Sequence, residues 1–255
     1  MLLKDKVAVI TGGASGIGKA TALKYAKEGA KVVVADFNEA GAIETVEQIK
    51  VLGGEAIAFK VDTTKFAEVE SLVDFTVKTY GTINVMFNNA GIGATNLINE
   101  FDEETYQKVI AVNQHGVAYG IAFASKKMIE LGVKGVIINN GSVYGYLANR
   151  GALAYNASKG AVVMMTKTSA LDLAPYGIRV VCVAPGFVRT PITHVLKEKG
   201  VEDLYKNFQM RKEFIEPDDI AGMVCLLAME EANVVNGSTV MLDDGLTGFK
   251  AHAEY

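Results

Sequence analysis

Tyr155 and Lys159 stand four residues apart, and on a helix that spacing puts both side chains on one face, an ammonium beside a phenol. A YxxxK match is common by chance, so its weight comes from context. Ser142 follows an apolar run at 136–138 and precedes the stretch carrying Tyr155, which places a hydroxyl at the carboxyl end of a strand. In open α/β sheets that edge is where ligands bind. A second group of residues points to a diphosphate. After the first apolar run comes Thr11-Gly12-Gly13-Ala14-Ser15-Gly16-Ile17-Gly18, and then an Ala- and Lys-rich helical stretch. Glycines permit a sharp turn and a close backbone approach to phosphate, and the following helix offers its positive N-terminus. The spacing is GxxxGxG, not GxGxxG, and a tight turn alone would use the same residues. Asp36, 18 residues beyond Gly18 at the end of the second strand, stands where a carboxylate accepts hydrogen bonds from adenosine ribose hydroxyls. Its bland alternative is a cap for the next helix. A carboxylate there repels a 2′-phosphate, and neither Ser15 nor Phe37 supplies a compensating cation, so NAD(H) is expected over NADP(H).

The elements that must hold these groups are legible as alternation. Apolar, β-branched runs recur at 7–10, 32–35, 56–61, 85–87, 136–138, 180–183 and 239–242 without polar alternation, as in strands covered on both faces. Helical spacing fills the intervals at 17–28, 43–52, 69–80, 106–128 and 157–173. The fold class expected is α/β, a Rossmann-like, doubly wound parallel sheet of about seven strands with helices on both faces. The 255 residues, half of them apolar and with only four prolines, show no linker, so one domain over 1–255 is expected. The mixed-polarity stretch 187–216 is the expected substrate lid, with Pro217 opening the next helix.

Together, Thr11-Gly12, Gly16-Ile17-Gly18, Asp36, Asp62, Asn88-Asn89-Ala90-Gly91, Asn113, Ser142, Tyr155 with Lys159, and Pro185-Gly186 with Thr190 resemble the short-chain dehydrogenase/reductase family of the compact, single-domain type. The match runs over nearly the whole chain. Asn84 departs from the acidic residue common there, and Asp243-Asp244-Gly245 from the usual Asp-Gly-Gly. The resemblance implies an NAD-dependent enzyme interconverting a secondary alcohol and a ketone. Tyr155 would act as general acid/base, Ser142 would hydrogen-bond the substrate oxygen, and Lys159 would hold the nicotinamide ribose. Bringing a phenol from a pKa near ~10 to about 7 requires roughly 4 kcal/mol of preferential phenolate stabilisation, which Lys159 and a nicotinamide cation would supply.

Asn113 shares a helical stripe with Tyr106, Val109, Ile110, Val117 and Gly120, so its amide faces inward. It is either a satisfied core amide or, by resemblance, the holder of a water linking Lys159 to solvent. Asp62 and Thr63 would sit by the adenine, Asp62 having a helix cap as its alternative. Asn89, Ala90 and Gly91 would line the cofactor, and Val188 and Thr190 would touch the nicotinamide carboxamide. Ile192, Val195 and Leu196 fit one face of a short lid helix over a pocket lined by Ile92, Val143, Leu147 and Phe187.

Composition narrows the alternatives. A net charge of −4 gives no general attraction to nucleic acid or anionic lipid. The apolar runs are far shorter than the ~20 residues that span a bilayer, and residues 1–10 lack a signal-peptide core. Cys182 and Cys225 have no CxxC spacing and read as buried thiols, so a soluble, cytoplasmic protein is expected. His115, His194 and His252 share no metal-ligand spacing, and the loop lacks the Gly-Lys-Ser/Thr ending of a P-loop. Asp243 and Asp244 read as turn decoration. Two other functions compete: 3-oxoacyl thioester reduction, which would normally favour NADP and is opposed by Asp36, and a non-catalytic dinucleotide sensor. The resemblance also suggests a homotetramer.

Overall fold

The computed structural model describes residues 1–248, so His252 lies outside the described residues. Seven parallel strands form one sheet: β1 (Val7–Thr11), β2 (Lys31–Asp36), β3 (Glu55–Lys60), β4 (Val85–Asn88), β5 (Val136–Asn140), β6 (Arg179–Pro185) and β7 (Thr239–Leu242). Their order is β3-β2-β1-β4-β5-β6-β7. The winding reverses between β1 and β4, and there the strand ends leave a crevice.

The uninterrupted apolar strands feed two cores through their period of two. Ala8, Ile10, Val32 and Val34 enter one cluster on one face of the sheet. Val9, Val33, Met86 and Ile137 enter the other. The first core is closed by α1 (Gly16–Lys27), α2 (Glu39–Val51) and α9 (Pro217–Leu227); the second by α3 (Phe66–Tyr80), α5 (Gly116–Glu130) and α6 (Leu153–Leu173). The edge strands β3 and β7 are only partly covered, unlike the expectation of two covered faces for every strand.

One further expectation is corrected. The helix expected over 106–128 is interrupted: α4 (Glu103–Ile110) leads through a π-helical turn, Ala111–His115, into α5. The wide turn carries Asn113, as such turns often carry a functional residue. The stretch 187–216 contains α7 (Pro191–Glu198) and α8 (Glu202–Lys206), neither with a buried residue. Its ends are pinned. Arg189 N–H donates to the Ile215 carbonyl and Ile215 N–H to the Phe187 carbonyl, each at 2.9 Å. Gln209 is fully buried and bonds to Phe187 N–H at 2.8 Å and to the Glu213 carbonyl. Asp244 accepts from Arg211 N–H and Nε at 2.7 and 3.0 Å, while Asp243 accepts from Gly245 and Thr247, so these aspartates do more than decorate a turn.

Candidate active site

The carboxyl ends of six neighbouring strands open into one cavity of about 730 Å³. Taken in sheet order, its walls are Asp62 and Thr63 after β3, Asp36 and Phe37 at β2, Gly12, Ser15, Gly16 and Ile17 after β1, and Asn89, Ala90 and Gly91 after β4. Ser142 follows β5, Tyr155 and Lys159 come from α6, and Pro185, Gly186, Val188 and Thr190 end or follow β6. Residues far apart in sequence are thus collected because parallel strands present the same end to the same side.

The glycine loop is shaped for close packing. Gly12 has φ +68°, and a Cβ there would lie 2.9 Å from Ala90 Cα. Gly18 does not line the cavity; a Cβ on it would lie 2.0 Å from the Gly12 carbonyl oxygen, so it is the residue that lets α1 start against the loop. We expect Gly18→Ala to cost at least about 2 kcal/mol in thermal unfolding, because the clash is with backbone. Ser15 is the N-cap of α1 yet makes no capping bond, and the first turn carries no acid, which leaves N–H groups free for an anion.

Asp36 is held rather than capping. Its oxygens accept from Ala14 N–H at 2.9 Å and Asn38 N–H at 2.8 Å, and the cap of α2 is Asn38. Asp62 likewise forms a local turn with Thr64. Phe37 lies 71 % exposed in the cavity wall. These features fit a dinucleotide: a narrow backbone cradle, an open helix N-terminus, and a fixed carboxylate at one end.

At the other end Tyr155 and Lys159 share one wall, with Lys159 Nζ 5.6 Å from the Tyr155 ring centre. Ser142 Oγ accepts from Tyr144 N–H at 3.1 Å, which leaves its own proton free to donate into the cavity. Lys159 is 3 % exposed and donates to the Asn140 carbonyl at 2.7 Å. Burial pushes its pKa down to about 8. Burial raises that of Tyr155, with the Ser142 hydroxyl acting the other way. The protein by itself therefore keeps the phenol protonated, whereas the expected lowering invoked Lys159 together with a nicotinamide cation.

Asn113 is fully buried. Its Oδ1 accepts from Ile92 N–H at 2.8 Å, and both its donors are spent, on the Ile92 carbonyl at 2.9 Å and Ser158 Oγ at 3.2 Å. The side chain is satisfied within the protein, and it clamps the segment after Gly91 to α6. Val143 faces the core, and Leu147 and Phe187 are not among the cavity walls. Phe187 reaches the site indirectly, edge-on to Tyr144, which is edge-on to Tyr155. The sequence reading missed Asn140, Lys108, Val112 and Thr193 as wall residues. For Asn140 a signal existed: two asparagines close an otherwise apolar strand. His194 is exposed and lies 3.5 Å from Glu198.

The short-chain dehydrogenase family model matches residues 6–200. The chain belongs to the short-chain dehydrogenase family. Its relatives include a 3-oxoacyl-[acyl-carrier-protein] reductase of Thermotoga maritima, 38 % identical over 96 % of this chain and 99 % of the other. A cyclohexanol dehydrogenase of an Acinetobacter species is 36 % identical over 95 % of each chain. The crystal structure of a short-chain type dehydrogenase/reductase from Mycobacterium marinum superposes with a TM-score of 0.94, at 31 % identity and 97 % coverage of both chains. A short-chain dehydrogenase is an oxidoreductase that works with a nicotinamide cofactor on a small-molecule substrate. Among the described residues, no helix is long and apolar enough to cross a membrane.

Proposed function

We propose that this chain is an NAD(H)-dependent oxidoreductase interconverting a secondary alcohol and a ketone. What carries the reading is the convergence of Ser142, Tyr155 and Lys159 at one end of a cavity whose other end holds Asp36. A bound nicotinamide would supply or accept hydride. Tyr155 donates the proton to the carbonyl oxygen, a task suited to a phenol kept protonated by burial. The Ser142 hydroxyl donates to the same oxygen and stabilises its developing charge. Lys159 sets the field beside the phenol and holds the ribose, while Asn113 fixes the wall at Ile92. Asp36 takes the adenosine ribose, with Phe37, Asp62 and Thr63 beside the adenine and Gly12 to Ile17 at the diphosphate. Asn89, Ala90, Gly91, Pro185, Gly186, Val188 and Thr190 line the nicotinamide half.

Residues 1–255 act as one dinucleotide-binding domain, and the lid is the part of 187–216 between its pinned ends, α7 and α8. Leu153, Met164 and Leu171 are exposed on one face of α6, which supports a contact between copies there; that the assembly is the homotetramer the family resemblance suggests is what light scattering would test. The Thermotoga relative supports a second reading, 3-oxoacyl thioester reduction. One experiment separates them: steady-state rates with NADH and NADPH over simple ketones, diketones and an acetoacetyl thioester. We expect kcat/KM to be at least about tenfold higher with NADH, since a fixed carboxylate repels a 2′-phosphate. Equal or better use of NADPH with the thioester would sink the first reading in favour of the second.

A further inference from the structure

The last residue of β5 joins the two halves of the site. Asn140 lines the cavity, and its carbonyl accepts from Lys159 Nζ at 2.7 Å. Its side chain points the other way along the same chain of bonds. Asn140 Nδ2 donates to Asn89 Oδ1 at 3.0 Å, and Asn89 Nδ2 donates to the carbonyls of Thr11 at 2.9 Å and Gly12 at 3.2 Å. The amide orientations are forced. Two carbonyls face Asn89 Nδ2, so Asn89 presents oxygen to Asn140, and Asn140 must answer with nitrogen. Asn140 Oδ1 is then left buried with no partner among the described residues.

That orphan acceptor bears on purpose. A buried acceptor without a donor destabilises the fold; an apolar side chain of the same shape would remove that penalty but would take from Asn89 Oδ1 its donor. With one unpaired acceptor on either choice, stability alone does not single out the amide. What only an amide supplies here is the donor that ties the end of β5, and with it the carbonyl holding Lys159, to the glycine-rich loop.

We propose that Asn140 is a positioning residue that fixes Lys159 relative to the glycine-rich loop, so that a diphosphate seated on the loop finds the lysine already in register. The proposal rests on the dinucleotide reading above. Asn140→Leu in the full-length protein tests it through three measurements: melting temperature, ADP affinity by calorimetry, and kcat for ketone reduction with NADH. We expect a melting temperature within a few degrees of wild type, ADP affinity within about twofold, and a kcat about tenfold lower. In a Lys159→Met background the same substitution should then change kcat by less than about twofold, because its effect runs through the lysine.

An equal proportional loss of kcat in both backgrounds, a matching loss of ADP affinity and melting temperature, or an unchanged kcat would each overturn the proposal. Asn140→Ser, too short to reach Asn89, should reproduce the kcat loss. If neither variant folds, the amide is structural and the proposal falls. Wild-type protein binding neither ADP nor NADH would overturn the dinucleotide reading and this proposal together, whereas normal nucleotide binding with an indifferent Asn140→Leu overturns this proposal alone.

Discussion

Replacing Tyr155 by phenylalanine is expected to lower kcat by about 10²–10⁴-fold, the usual span for a positioned general acid, while leaving NADH affinity within about threefold. The substitution removes a hydroxyl and little else. The ring keeps its edge-to-face contact with Tyr144 at 6.2 Å and its place 5.6 Å from the Lys159 ammonium. Ser142 loses its contact with the phenol but keeps its backbone anchor to Tyr144 N–H, so its hydroxyl stays in place. The glycine loop and Asp36 share no hydrogen bond with the phenol, so the nucleotide end is untouched. The two quantities are separable by steady-state rates and by titrating the fluorescence of NADH. Turnover at the wild-type level would remove Tyr155 from the chemistry, and a parallel collapse of NADH binding would make it a binding residue instead.

The reason such a prediction is available from a sequence is that the chemistry sits at strand ends. Asp36, Asn89, Ser142 and Pro185 each follow an apolar run, and a parallel sheet brings all such ends to one edge, so their convergence needed only the alternation of strand and helix. Tyr155 and Lys159 were legible for a different reason, the i, i+4 geometry of a single helix. What escaped depended on bonds between distant segments or on a local change of winding. The apolar stripe from Tyr106 to Gly120 continues through the π-helical turn at Ala111–His115, so nothing in its spacing marks the extra width. Val143 reads as a pocket residue by position, but Ser142 caps a 3-10 turn that rotates the following side chain into the core. The pinned ends of 187–216 rest on Gln209 and on the Arg211 pair with Asp244, contacts 22 and 33 positions apart that no periodicity encodes.

Lys159 offers the other large effect, on stability. Its ammonium is buried beside a carbonyl and faces no carboxylate partner among the described salt bridges, which is why its pKa falls to about 8 from 10.5. Below about pH 8 the lysine is charged in both folded and unfolded chains, and the cost of burying that charge is fully present. Between about 8 and 10.5 the unfolded chain keeps the proton while the folded chain releases it, so stability gains with rising pH. Above that window both are neutral and the gain is complete. Relative to Lys159→Met, the wild-type lysine should therefore become more favourable by roughly 3 kcal/mol between pH 7.5 and 10.5. Urea unfolding at a series of pH values reads this difference, and alkaline groups not coupled to the lysine, such as Cys225, cancel because both proteins carry them. Cys182 is the neighbour whose charge acts on the lysine and responds to it, so both proteins are best compared in the Cys182→Ala background. A difference that stays flat across the window would mean that the buried ammonium is solvated as well as in water, and the depressed lysine would no longer be available to tune the site.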